Sequence, residues 1–426
     1  MSEPQPLIGI LSQKGRNPLY PFGEQTGYFR NLIRYGRTLG VEVIVFTSAS
    51  INLIRGLVMG HTWLDTPRGK RGWVSRLHPI PKVIYDRTFY YRGCPYGEYI
   101  GKVLTRLKEI PGVRFINPID LMNFTVNKQR TAAVLKDWVG LTKNIPASIP
   151  LRSLEKSQEF ISSFSRVFIK PNFGSAGEGI HTLEQVKRNF LLKGYNRNQV
   201  VYWVSRNLGA IDRRLARRVR PTKCILQAGL DLAKFQGRPF DVRVLVQKNR
   251  GADWDITGYA ARLAGRGGYL TNLHRGGMAQ PLEKVLVNIF GRGTGAGILD
   301  EVKKICLNTV TAVENKVGPF GEVAVDLGVD KEGRLWIIEL NSRPGRTIFQ
   351  KIGARSLKEK SITNVLEYGQ YLLTLPFGEE LGVGEGIDDT VDSDLAGEDV
   401  AGVLGVNLDE PDSACGIDTQ VDTQLT

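Results

Sequence analysis

The spacing of apolar residues changes character several times along the chain. Leu7-Ile8-Gly9-Ile10-Leu11 is a short unbroken apolar run of the kind a buried strand requires. Residues 24–39 place Phe29, Leu32, Ile33 and Tyr35 near helical spacing, and Gly40 marks the stop. Residues 41–46 and 82–86 read as two further strands, 99–109 as a helix and 114–117 as a fourth strand. Strands alternating with helices predict a small parallel sheet with crossover connections. This first lobe is expected over residues 1–120.

A second pattern follows. Residues 127–139 read as a helix and 166–171 as a strand that runs into Gly174-Ser175-Ala176-Gly177. An arginine-rich helical stretch comes next, with Arg206, Arg213, Arg214, Arg217, Arg218 and Arg220. These features define an expected second lobe over 121–225. Strand signals dominate the third, 226–377: residues 224–227 at its border, then 241–247, 257–263, 322–327 and 335–340. Helices at 300–317 and 361–373 complete it. Gly291-Arg292-Gly293-Thr294-Gly295-Ala296-Gly297 follows no strand and lacks the G-x-G-x-x-G spacing, so it reads as a flexible loop.

Charge alters this picture at the C-terminal end. The chain of 426 residues carries 57 Lys and Arg against 43 Asp and Glu, a net +14. Fourteen of the acids, and none of the bases, lie from Gly378 onward, so residues 1–377 carry an excess of 28 positive charges. A basic body favours polyanionic partners. The stretch 378–426 has no aromatic residue and too little apolar surface to offset chain entropy, and is expected to be disordered. No segment has the roughly 20 apolar residues of a membrane span, and the start lacks signal-peptide character, so the expected location is cytoplasmic. Cys94, Cys224, Cys306 and Cys415 form no C-x-x-C pair, and His61, His78, His181 and His274 lack metal-ligand spacing.

Three clusters carry candidate chemistry. Asp326 ends one strand of a predicted hairpin, while Glu339 and Asn341, two apart, share a face of the other. Two carboxylates and an amide oxygen on one face suit Mg²⁺, which shares its ligands with phosphates. An ordinary charged hairpin would look similar, but a carboxylate closing an apolar run is costly without a cation. Lys128 opens a helix, and Lys170 closes a buried strand just before a glycine-rich turn. An ammonium there calls for an anion, and the turn's N–H groups can face phosphate. Arg243 and Arg262 lie in strand-like stretches, where paired N–H donors could hold phosphates or a substrate carboxylate. Singly, each reads more readily as a surface salt bridge.

In this order the clusters resemble the ATP-grasp superfamily, across residues 120–345. The spacing of Asp326, Glu339 and Asn341 matches that superfamily's magnesium triad, and Lys128 and Lys170 match its two nucleotide lysines. Gln227 falls where its hinge meets adenine. Asp241-Val242-Arg243, Arg262 and Asn272-Leu273-His274-Arg275-Gly276-Gly277 resemble motifs of the glutamate ligases that modify ribosomal proteins. Ile84-Tyr85-Asp86-Arg87, Phe168-Ile169-Lys170-Pro171 and Ile338-Glu339-Leu340-Asn341-Ser342-Arg343-Pro344-Gly345 are similar to the YheC/YheD family of endospore-coat-associated ATP-grasp proteins. Many D-alanine–D-alanine ligases carry an arginine two residues before the first metal aspartate. Ala324 stands there instead, which argues against that activity.

The resemblance implies an α/β ATP-grasp fold: a parallel N-terminal lobe followed by two α+β lobes clasping ATP. It implies ATP and Mg²⁺ as cofactors, held by Lys128, Lys170, Gly174, Ser175, Ala176, Gly177, Gln227 and Asn272, with the metal on Asp326, Glu339 and Asn341. Arg243, Arg262 and Arg343 would stabilise the phosphoryl group or anchor a carboxylate. The implied reaction joins a carboxylate, of an acidic peptide or protein among others, to an amine through an acyl-phosphate, in the cytoplasm or the spore coat. The competing reading is a coat-assembly protein that binds nucleotide with little turnover. Nucleic acid is a weaker expectation, since no recognition module accompanies the basic charge.

Overall fold

The computed structural model describes residues 5–376 apart from 66–70, 90–94, 175–178, 197–198, 218, 221–222, 266–270 and 272–275. The segment 378–426, Ser175, Ala176, Gly177 and Asn272 lie outside the described residues.

The first sheet is built from β1 (Leu7–Leu11), β2 (Glu42–Phe46), β3 (Ile51–Asn52), β4 (Leu57–Asp65), β5 (Arg71–Pro79), β6 (Val83–Asp86) and β7 (Arg114–Phe115). Its order is β3-β4-β2-β1-β6-β7, with β5 on β4. β1 lies parallel to β2 and β6, and β6 parallel to β7. The hairpin β4–β5 extends this parallel centre with antiparallel strands that the sequence pattern did not disclose. Alternation decides its two faces. Ile8, Ile10, Val43, Val45, Val83 and Tyr85 pack against α1 (Thr26–Thr38) and against Ile362, Val365, Leu366 and Leu372 of a helix from the far end of the chain. Leu11, Ile44, Phe46 and Ile84 pack on α2 (Pro95–Glu109). Each such aliphatic side chain contributes about 1.5–3 kcal/mol when fully buried.

After α3 (Ile119–Val126) and α4 (Lys128–Asp137), the second sheet is antiparallel. It comprises β8 (Ser148–Pro150), β9 (Arg166–Pro171), β10 (His181–Val186), β11 (Asn189–Asn196), β12 (Gln199–Ser205) and β13 (Cys224–Ala228) in the order β12-β11-β10-β9-β13-β8. Helices α5 (Gln158–Ser162) and α6 (Leu208–Ala216) cover one face, where Val167, Ile169, Leu192 and Leu226 meet Ile161, Leu208, Ile211 and Leu215. The opposite face carries Phe168, Lys170 and Gln227.

The third sheet comprises β14 (Lys234–Phe235), β15 (Arg238–Lys248), β16 (Trp254–Leu263), β17 (Met278–Gln280), β18 (Glu322–Val329) and β19 (Leu335–Asn341). Its order is β17-β16-β15-β18-β19, with β14 on β15. Val242, Val244 and Val246 of β15 and Val323, Val325 and Leu327 of β18 bury one face against α7 (Leu282–Phe290) and α8 (Arg292–Val317). The expected loop at 291–297 is instead the junction of these helices. Gly291 turns the chain at φ +80, and 292–297 open α8. A Cβ on Gly295 would stand 3.0 Å from the Leu286 carbonyl carbon, so the absent side chain lets the helices meet closely. Tertiary contact here overrides the poor helix propensity of glycine. Then α9 (Thr347–Lys351) leads to α10 (Arg355–Thr374), the helix that returns to the first sheet.

Candidate functional site

Three neighbouring strands align charged residues on the face of the third sheet away from α7 and α8. In register, Arg243 of β15 stands opposite Asp326 of β18, which stands opposite Glu339 of β19. Asp241 stands opposite Arg262 on β16. Directly opposed residues of an antiparallel ladder share a face, so these side chains form one cross-strand row.

Glu339 reaches that row through a β-bulge. Leu335 and Ile337 face the hydrophobic core, and simple alternation would send residue 339 there too. The register shifts between Asp326 and Leu327, leaving Ile338 as the extra residue. Leu340 then takes the core position, while Glu339 and Asn341 turn to the open face. A bulge is a standard way to re-aim a side chain beside a functional site.

Asp326 is buried and heavily bonded. Arg243 grips it with both Nε and Nη2, the latter 2.8 Å from Oδ2. Arg262 Nη2 lies 2.9 Å from the same oxygen, and Asn341 Nδ2 donates to it at 3.4 Å. Burial works to raise the Asp326 carboxyl, but the two guanidiniums outweigh it and hold the group below its usual range. Arg262 is itself fixed by Asp241, with two bonds of 2.7 Å, and Asp241 also accepts from the Thr271 hydroxyl.

Glu339 differs. Among the described residues no hydrogen-bond donor reaches its carboxylate. Burial pushes it above the ordinary carboxylate range. Lys128 draws it back down, Asp326 adds to the rise, and Lys170 and Arg243 oppose it.

The two lysines come from the second sheet and its preceding helix. Asn127 caps α4 by accepting from the Arg130 N–H, and Lys128 N–H donates to the Asn172 carbonyl at 3.1 Å, which holds the helix start against the end of β9. Lys128 Nζ donates to the Gly174 carbonyl at 2.8 Å. Lys170 is buried on β9 and donates to Gln227 Oε1 on β13 at 2.5 Å. Burial lowers Lys128, against the pull of Glu339. It lowers Lys170 to about 8; Glu339 opposes that shift and Lys128 reinforces it. Glu339 thus interacts with both lysines and with Asp326, which links Lys128 and Lys170 of the second lobe to Asp326 and Arg243 of the third.

Arg343 is placed differently. Its Nη2 engages Asp86, at the carboxyl end of β6 in the first sheet, and Asp86 Oδ1 also accepts from the Thr88 N–H and hydroxyl. Asp86 and Arg343 therefore join the first sheet to the loop immediately after Asn341. Two further features escaped the sequence. Leu230, Leu232 and Ile338 converge over Gly328, where an added Cβ would meet all three within 3.4 Å. Glu322, fully buried on β18, accepts from Tyr85, Arg346 and Gln247. Long-range partners of this kind leave no local periodic signal.

Asp326 and Glu339 supply two carboxylates and Asn341 an amide oxygen. Among the described residues no group of three or more His, Cys, Asp or Glu could hold a metal. Two carboxylates with an amide fit Mg²⁺ that brings further oxygen ligands from phosphates and water, in contrast to an all-protein cage.

Comparison with solved structures defines the class of fold. The chain is similar to the ATP-grasp ligase PsnB complexed with minimal precursor (TM-score 0.51, 15% identity, covering 85% of this chain and 99% of that one). It is also similar to the VanG D-Ala:D-Ser ligase of Enterococcus faecalis (TM-score 0.51, 12% identity, 86% and 100% covered). The fold is ATP-grasp. A model of YheC/D-like ATP-grasp proteins matches residues 113–372, and the chain belongs to that family. It is 27% identical over 377 residues to the endospore coat-associated protein YheD of Bacillus subtilis (strain 168), covering 86% of this chain and 79% of the relative. It is 26% identical over 337 residues to YheC of the same organism, covering 79% and 85%. No helix among the described residues is long and apolar enough to cross a membrane.

Proposed function

We propose that this chain binds Mg-ATP between its second and third sheets and uses it to join a carboxylate to an amine. One observation carries the reading: Glu339 has no hydrogen-bond donor among the described residues, yet interacts with Lys128, Lys170 and Asp326 together. A half-buried carboxylate in that condition has no direct ion pair among the described residues, and neither have the two depressed lysines near it, so a divalent cation and a phosphate would complete both.

Lys128 and Lys170 would bind the phosphates, and Gln227, which already orients Lys170, would meet the base. Leu230, Leu232 and Ile338 offer an apolar surface for that base. Asp326, Glu339 and Asn341 would hold Mg²⁺, whose charge would offset that of the phosphates. A substrate carboxylate oxygen would attack the γ-phosphorus as the bond to ADP breaks, giving an acyl-phosphate. An amine would then attack the acyl carbon and release phosphate. Arg262, fixed by Asp241, would present its donors without reorganisation, and rate enhancement would come from position and charge. The coat-associated names of the relatives support a substrate in the spore coat.

The test is incubation with Mg-ATP and pools of amino acids and acidic peptides, with phosphate release and product mass as readouts. Release that depends on one pool, with product heavier by the joined amine minus water, is expected. Nucleotide binding with no release in any pool would favour the second reading, an assembly protein of the coat, which the relatives' names also support.

A further inference from the structure

The bonds around Asp326 bear on the order in which metal and nucleotide enter. A carboxylate offers about four lone-pair sites, two on each oxygen. Oδ2 already faces three donors: Arg243 Nη2 at 2.8 Å, Arg262 Nη2 at 2.9 Å and Asn341 Nδ2 at 3.4 Å. Oδ1 takes Arg243 Nε. The carboxylate that would hold the cation is thus occupied by the protein's own cations.

The two arginines are not equivalent. Arg262 is tied to a second carboxylate, Asp241, through Nε and Nη2, both at 2.7 Å, and its side chain is 8% exposed. Arg243 makes its ion pairs with Asp326 alone among the described residues, and its side chain is 17% exposed. Arg262 is anchored, whereas Arg243 is free to exchange partners.

Local charge points the same way. Arg243, Arg262, Lys128 and Lys170 face Asp241, Asp326 and Glu339, four cationic side chains against three anionic ones. Such a cluster does not attract a bare divalent cation, and no all-protein metal cage exists among the described residues. A triphosphate reverses the balance and offers Arg243 a bidentate partner as good as the one it leaves.

We propose that Arg243 is a built-in substitute for the divalent cation, neutralising Asp326 until a triphosphate draws the guanidinium away and delivers Mg²⁺ in its place. The inference rests on the Mg-ATP reading above and adds an order: metal enters with the nucleotide and not before it. Arg243 thereby acts as a positioning residue for the metal carboxylate.

The experiment compares the parent with Arg243→Gln and Arg243→Lys, each checked by thermal unfolding. Mn²⁺ titration followed by electron paramagnetic resonance measures metal binding without nucleotide. Calorimetry with a non-hydrolysable ATP analogue and Mg²⁺ measures the complex. Arg243→Gln should bind Mn²⁺ alone about tenfold more tightly than the parent, and the Mg-nucleotide about tenfold less tightly. Arg243→Lys, which keeps the charge without the fork, should fall between. A folded Arg243→Gln that binds Mn²⁺ no better than a nucleotide-binding parent overturns this inference alone. A parent that binds no nucleotide overturns it together with the reading beneath it.

Discussion

Glu322 and Glu339 are two carboxylates of one sheet with opposite surroundings. Glu322 lies on β18, four residues before Asp326 and on the same face. Tyr85, Arg346 and Gln247 donate to its side chain, Arg87 Nη1 stands 3.8 Å away, and Asn117 bonds its backbone N–H and carbonyl. Those partners span the first sheet, the third sheet and the loop before α9. Glu339 has lysines within electrostatic reach but no hydrogen bond among the described residues. A buried charge whose bonds are complete serves the architecture, while a half-buried one left incomplete beside cations is suited to a ligand.

Mutation should break the comparison in opposite directions. Glu322→Ala leaves Arg346 and Arg87 buried without their carboxylate and should cost about 3–5 kcal/mol of folding stability, read as a lower denaturant midpoint at unchanged slope. Glu339→Gln should leave ligand-free stability unchanged or raise it slightly, since it relieves a desolvated charge. Its loss appears only with ligand, as a roughly hundredfold weaker Mg-nucleotide complex by calorimetry. Equal destabilisation by both variants would erase the distinction.

Lys170 sharpens it further. Its folded-state value is about 8 against an ordinary 10.5. Between those values the unfolded chain binds more protons than the folded one, so this group makes stability rise with pH across that window. Nucleotide affinity should run the other way, falling as pH passes 8 and the ammonium is lost. Lys170→Met should bind roughly tenfold more weakly at pH 7 and lose that pH dependence. The smallest effect concerns Cys224. Burial pushes its thiol up to about 11, with Lys128 pulling against the rise, so alkylation at pH 8 should be slow by mass spectrometry of the labelled peptide.

The residues legible in the sequence were those whose chemistry is improbable where they stand: a lysine closing a buried strand, a glutamate after an apolar run. Glu339 and Lys170 are visible for that reason, Asp326 and Asn341 through the spacing of the hairpin, and Lys128 through the family resemblance. The bulge at Ile338 was not, because period-two alternation places Glu339 in the core and only pairing with β18 shows the extra residue. Asp86 and Arg343 are 257 positions apart, and no local pattern could join them. The glycines at 291–297 read as a loop because no strand precedes them and the dinucleotide spacing is missing, and the close meeting of α7 and α8 decides otherwise.

The return of α10 has a consequence for how the protein emerges from the ribosome. β1, β2 and β6 are synthesised within the first 86 residues together with α1, which covers part of one side of their sheet, but the rest of that side is covered only when Ile362 to Leu372 are made. The first lobe translated is therefore the last to be sealed, and nascent chains stalled before α10 should expose Ile8, which meets Gly369 of that helix, to chaperones.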